Sequence, residues 1–268
     1  DPSYFLSCAC TTLLSILNND NYISYHISCL KALTSIFSND PKMYGLKYFS
    51  EFIKIVINQI HSNIANSDDY IDVLNQICHT SPYQWVLKYR SEIINLTQEM
   101  LEKKDFSEKV LDLIPTLSLV FKTEAGIIYQ NGIAFLYDIL EKNMKKEDGI
   151  DISIKSINAI ISMRHVSESF SLFVITKLLY ILSKESVMQS VKKKIIDSFS
   201  FLFQQPDIDM SSFSPNILRS LLRVLYNADI SNDLSLIERA MQAIYSLIVK
   251  SGSEFAFLKM SASSAIEQ

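Results

Sequence analysis

The chain is poor in the residues that make tight turns. Its 268 residues hold five glycines and six prolines, where average usage of roughly 7% and 5% would supply about 19 and 13. Sandwiches and parallel α/β folds spend glycine and proline on the turns between their elements. A fold of many strands is therefore excluded, and an all-helical one leads. The glycines, Gly45, Gly126, Gly132, Gly149 and Gly252, are also scattered, so no loop can cradle a phosphate with clustered backbone N–H groups.

Cationic excess is missing too. The formal net charge is −4; residues 1–134 carry 10 basic and 14 acidic side chains, and residues 135–268 carry 15 of each. Binding to a phosphate backbone needs a basic face, so nucleic acid is not an expected partner. No run reaches 18 uninterrupted apolar residues, which leaves no candidate transmembrane helix. Membrane association is expected only peripherally, through partners. The opening Asp1-Pro2-Ser3 has neither initiator Met nor basic leader, as expected for a piece of a longer polypeptide. Cys8, Cys10, Cys29 and Cys78 have no disulfide-framework spacing, so a reducing, cytoplasmic setting is expected.

What the chain has is a core. Hydrophobic residues make up 48% and charged residues 20%, well inside the range of folded proteins. Apolar side chains recur at i, i+3, i+4 and i+7 in segments separated by Asn, Asp, Ser and Pro, the mark of amphipathic helices. The first spans about Pro2–Asn18 and stops in Asn18-Asn19-Asp20-Asn21. The second carries His26, Leu30, Leu33, Ile36 and Phe37 on one side and stops before Pro41, which cannot continue it.

Self-comparison sharpens the pattern. An aromatic followed at +4 and +5 by two apolar residues begins at Phe5, Tyr48, Tyr89, Tyr129, Phe170 and Phe213, at intervals of 43, 41, 40, 41 and 43 residues, and Phe255 would open a seventh unit. Partner helices are expected near 22–38, 67–80, 105–122, 148–164, 185–204 and 232–250. Ser67-Asp68-Asp69 and Ser231-Asn232-Asp233 supply caps and negative charge at helix starts, while Pro206 and Gly252 mark helix ends.

Paired helices at a period of roughly 40 to 47 residues define HEAT and armadillo arrays. The expected fold is an all-α, HEAT/armadillo-type solenoid of about six antiparallel helix pairs in a superhelical stack. One domain is expected over 1–260, with repeats at about 1–40, 41–81, 82–123, 124–165, 166–206 and 207–250 and a seventh starting at 253. Residues 261–268 read as a polar tail or truncated helix. The expected core holds Leu33, Phe37, Ile53, Val56, Leu74, Ile94, Leu113, Leu136, Ile157, Leu178, Phe199, Leu221, Ala240 and Ile244.

Candidates for chemistry are few. His26 with Cys29, and Cys78 with His79, lack the CxxC or HxxxH spacing of zinc sites, so core cysteines are the better reading and neither metal nor cofactor is expected. His26, His61, His79 and His165 fall in different repeats near helix ends, where capping and surface roles are expected rather than a catalytic relay. Asp68-Asp69 and Glu147-Asp148 sit at helix N-termini, where the macrodipole accounts for them. Lys192, Lys193 and Lys194, with Lys184 nearby, form the one basic concentration and are candidate partner-binding residues. Trp85, the single tryptophan, is the other candidate anchor, against packing on the preceding helix pair.

The run from Tyr25 to Ile60 resembles a segment of the helical-repeat region of TOR (target of rapamycin) kinases. Tyr25-His26 opens a helix, Ile36-Phe37 closes it, and Gly45-Leu46-Lys47 with Phe49 opens the next. Upstream, Asp1, Tyr4 and Phe5 leading into Leu13-Leu14-Ser15-Ile16-Leu17 are similar to the family's preceding helix. The link Ser38–Tyr44 is longer than the family's, and its His-Ile-Arg-Pro pattern is absent around Leu74 to Arg90. The resemblance implies a stretch of the N-terminal solenoid of a large Ser/Thr protein kinase related to the phosphatidylinositol 3-kinases. There the solenoid holds accessory subunits and takes part in dimer architecture, while catalysis lies in a distant domain. No ATP or Mg²⁺ ligand carries over.

The expected function is thus a non-catalytic protein-binding scaffold, oligomeric only through its parent protein. The alternatives are a nuclear-transport receptor or trafficking adaptor wrapping protein cargo and, from another class, an enzyme whose site leaves no recognisable pattern.

Overall fold

A computed structural model describes residues 2–40, 45–62, 67–103, 107–165, 171–205, 208, 211–228 and 233–251. Among these residues every regular element is helical, and the chain divides into two compact units, 1–135 and 136–268.

The first unit is built from α1 (Pro2–Leu17), α2 (Ile23–Ser38), α3 (Leu46–His61), α4 (Ser67–Thr80), the single turn α5 (Tyr83–Leu87), α6 (Arg90–Glu102) and α7 (Lys109–Phe121). The division falls within α8 (Gly126–Asn143). The second unit continues with α9 (Ile150–Ser162), α10 (Thr176–Leu182), α11 (Gln189–Phe203), α12 (Ser214–Asn227) and α13 (Leu234–Ser251). A π-helical turn at Ser171–Ile175 leads into α10. The partner helices foreseen at 22–38, 67–80 and 185–204 are therefore α2, α4 and α11. The caps expected at Ser231-Asn232 and the helix-ending Pro206 and Gly252 lie outside the described residues, as do Phe255 and the tail.

In the first unit α1 packs on α2, α3 on α4 and α6 on α7, and then α2, α4 and α7 stack in one layer while α1, α3 and α6 stack in the other. The second unit repeats the scheme: α12 packs on α13, α9, α11 and α13 form one layer, and α10 stacks on α12. In both units the second helices of successive pairs lie closer together than the first helices.

Polar links follow the same step. In the first unit His26 Nδ1 lies 3.0 Å from Tyr70 Oη, Ser38 Oγ 2.6 Å from Thr80 Oγ1, and Lys109 Nζ 2.8 Å from Asp72 Oδ2, across 44, 42 and 37 residues. In the second, Arg239 pairs with Asp197 and Gln189 donates to Asp233, across 42 and 44 residues. Contacts at one repeat's separation are what nearest-neighbour stacking requires.

The expected core is buried at every position except Ile244, which is half-buried. The repeated motif fares differently in its two parts. Its apolar doublets Phe52-Ile53, Ile93-Ile94, Val174-Ile175 and Ile217-Leu218 are buried, whereas Ala9 is half-buried and Ala134 exposed. Its leading aromatics stand at the rim: Phe5 is 73% exposed, and Tyr48, Tyr89 and Phe213 are half-buried. Each begins or precedes its helix, one turn before the doublet, where the packed layer runs out.

Two backbone features have no counterpart in the amphipathic pattern. Pro115 lies inside α7, where it withholds a donor from the turn before it, and Asn75 Nδ2 from α4 reaches the Asp112 carbonyl at 3.4 Å. Lys122, closing α7, has φ 48°, in the region that ordinarily calls for glycine.

Candidate functional site

Among the described residues each unit carries an open groove. In the first, Thr11, Leu14, Ser15, Asn18 and Asn19 from the end of α1, with Asn21, face Tyr48 and Glu51 of α3 around about 820 Å³. The groove is polar because α1 ends in a cluster of asparagines, and it is partly self-satisfied. Asn18 Nδ2 donates to Glu51 Oε1 at 2.9 Å, and the Tyr48 hydroxyl is held by Ser7. Hydrogen bonding to the Lys47 ammonium, which lies 4.6 Å from the Tyr48 ring centroid, and then the Ser7 bond favour the phenolate and push this hydroxyl below its ordinary pKa.

The second groove, of about 910 Å³, lies along α12 and the starts of α11 and α13. Arg219 and Arg223 of α12 stand one helical turn apart on its wall, and Lys192 enters from α11. None of the three makes an ion pair among the described residues. Of the two acidic residues lining the groove, Glu185 is exposed and Asp233 accepts from Gln189. Leu222 and Val224 are half-buried in the lining, and Tyr226 is 90% exposed.

The lysine run thus divides. Lys192 lines the groove, whereas Lys193 and Lys194 are half-buried on α11 outside its lining. Lys184 is occupied, 4.2 Å above the Tyr180 ring and 3.9 Å from Glu141. Trp85 is enclosed rather than offered to a partner: it is 2% exposed, with its ring 5.2 Å from Phe49 and 6.3 Å from Phe37. Arg219 and Arg223 drew no attention in the sequence, although their four-residue spacing on an otherwise apolar-faced helix was a readable signal.

One histidine departs from expectation. His26 is not a surface residue but is buried at 2% exposure, between Tyr70 Oη and the Asn19 carbonyl 3.3 Å from its Nε2. A ring with a partner at each nitrogen satisfies its own burial cost. His61 meets Glu99 at 3.3 Å on the surface, and His79 is exposed.

Cys10, Cys29 and Cys78 are buried and Cys8 exposed, all as free thiols. Burial raises the first three, Cys78 to about 12. Among the described residues no group of three or more His, Cys, Asp or Glu is placed to hold a metal ion. None of the described helices is long and apolar enough to cross a membrane. Asp68 and Asp69 lie in the first turn of α4, and Glu147 and Asp148 are exposed just ahead of α9.

Stacked helix pairs linked at one repeat's distance make this a helical-repeat protein of the armadillo-like α-solenoid class. No protein-family model matches the sequence, nor does any curated protein. Solved structures do match. An engineered protein from the Northeast Structural Genomics Consortium aligns at a TM-score of 0.56 and 10% identity, over 89% of this chain and 97% of its own. A designed armadillo repeat protein aligns at 0.52 and 12% identity, over 88% and 98%. Another, solved in complex with the peptide (KR)4, aligns at 0.54 and 12% identity, over 88% and 98%. At such identities the likeness is one of fold.

Proposed function

We propose that this chain is a non-catalytic protein-binding scaffold. The observation that carries the reading is the double layer of stacked helices in each unit, shared in fold with designed armadillo proteins of which one was solved with a peptide bound. Arrays of this kind present long continuous surfaces whose neighbouring repeats each add a few contacts. The two grooves described above are such surfaces, and Lys192, flanked by Lys193 and Lys194, belongs to the docking set.

The resemblance of residues 1–60 to TOR kinases carries the finer reading: one array over residues 1–260 within the N-terminal solenoid of a large cytoplasmic Ser/Thr kinase, holding accessory subunits. The residues that carry the resemblance lie in the first turn of α2 (Tyr25, His26), in its last turn (Ile36, Phe37) and at the N-cap of α3 (Gly45).

Affinity purification of the native full-length polypeptide, with mass spectrometry of bait and companions, tests both levels. A bait many times this chain's size, bearing a kinase domain and stoichiometric companions, supports the TOR-like reading. A smaller bait with protein cargo and a small GTPase replaces it with a transport receptor. Recovery of the bait without companions overturns the scaffold.

A further inference from the structure

We infer that the groove along α12 is a docking site for an acidic peptide segment in extended conformation. The inference rests on the scaffold reading and adds to it the chemistry of the partner. Lys192, Arg219 and Arg223 come from two successive helix pairs and converge on one groove with no ion pair among the described residues. Set against Glu185, which is exposed, and Asp233, which Gln189 engages, the three cations leave the groove lining with a formal charge of +1 (three minus two) in a chain whose net charge is −4, and a positive field selects anionic ligands.

Spacing narrows the ligand. Side chains four apart on a helix have Cβ atoms about 5–6 Å apart, so Arg219 and Arg223 present two guanidinium groups at that step. In an extended peptide alternate residues point to one face about 6.6–6.8 Å apart. Carboxylates at every second position therefore come close to the spacing of the two arginines, and Lys192 adds a third cation to the same lining. Arginine holds a carboxylate through paired N–H donors, which gives orientation as well as attraction. Tyr226, 90% exposed beside Leu222 and Val224, supplies a flat apolar surface for a flanking side chain. A polyanionic nucleic acid fits less well, since three cations among the 15 acidic and 15 basic side chains of residues 135–268 offer no continuous basic track.

The test is fluorescence anisotropy with the whole chain and three labelled octapeptides, (Glu-Ala)4, (Ser-Ala)4 and (Lys-Ala)4, at low salt. The acidic peptide is expected to bind saturably and the other two not. Exchanging Arg219 and Arg223 together for glutamate should weaken binding at least tenfold, and Lys192→Glu alone several-fold. The exposed pair Lys31→Glu and Lys54→Glu should leave it unchanged. Raising salt to 1 M, where the Debye length falls to about 3 Å, should abolish it. Circular dichroism of each variant checks that the helices persist, and agreement between the α11 and α12 variants guards against a local unfolding artefact. Equal binding of all three peptides, or acidic binding that survives the arginine exchange, overturns the acidic groove while leaving the scaffold reading to the purification experiment. No binding of the acidic peptide at any attainable protein concentration overturns it as well.

Discussion

The two units reach the same stacked-helix scheme with different interiors. In the first, Phe37 is ringed by Phe49, Phe52 and Trp85 at 5.2–6.3 Å, three thiols are buried, and His26 is paired within the core. In the second, the interior is mostly isoleucine, leucine and valine, with Phe199 among them, and Ser153 on α9 is buried without a partner among the described residues. Their grooves differ in the same spirit, one lined by asparagines and the other by arginines. Periodicity dictates the backbone and leaves the filling free, so a shared fold says little about what each surface binds.

The largest expected effect breaks the aromatic interior. Phe37→Ala removes a ring that three others touch, at a cost of about 3–5 kcal/mol. Because Trp85 reports from the first unit, its fluorescence transition in denaturant should move to lower concentration, while Phe199→Ala in the second unit should leave that transition nearly in place. A common shift in both variants would mean that the units unfold as one.

Next comes a backbone contact of the second unit. A Cβ on Gly149 would lie 2.4 Å from the Asn143 carbonyl oxygen. Gly149→Ala must therefore displace the turn between α8 and α9, costing about 1–3 kcal/mol as overpacking does, read from the thermal midpoint.

These two sites show how far the sequence could be read. Phe37 was legible as core because it shares a face with Leu33 and Leu30 at helical spacing. Gly149 was legible only as scattered, since its tightness depends on where Asn143 turns. His26 was misplaced for a related reason. It stands near a helix start, where histidines usually meet water, and its burial is made tolerable by the Asn19 carbonyl and by Tyr70, a whole repeat away. The groove cations were half-legible: Lys192 stood out in a run of three, but Arg219 and Arg223 join it only once the pairs stack.

Buried polar groups should give opposite signs in the two units. Tyr70→Phe takes the hydroxyl from His26 and should destabilise by about 1 kcal/mol, whereas Ser153→Ala removes an unpartnered hydroxyl and should stabilise by a similar amount. Paired denaturation curves check this, and destabilisation by both would mean that Ser153 has found a partner in solution. The thiols sharpen the contrast further. Native-state alkylation should label exposed Cys8 first and leave Cys78, with its thiol near pKa 12, untouched until unfolding.

The smallest effects belong to ion pairs that both units place between successive second helices, Lys109–Asp72 on α7 and α4 and Arg239–Asp197 on α13 and α11. All four side chains are more than a third exposed, so removing either pair should cost between zero and about 1 kcal/mol. Their pH dependence separates them. Hydrogen bonding to Asp72 raises the Lys109 pKa in the folded state, so that contribution is fully present below the ordinary lysine value and is lost as pH rises through the raised one. A guanidinium, by contrast, is a far weaker acid than an ammonium. A stability difference between wild type and Lys109→Met that holds level across neutral pH and closes only in strong alkali, beside an Arg239→Met difference that does not close there, would mark the two pairs as equivalent in position and distinct in titration. A Lys109 difference that closed on the acid side of neutrality instead would mean that protonation of Asp72, and not release of the lysine proton, governs the link.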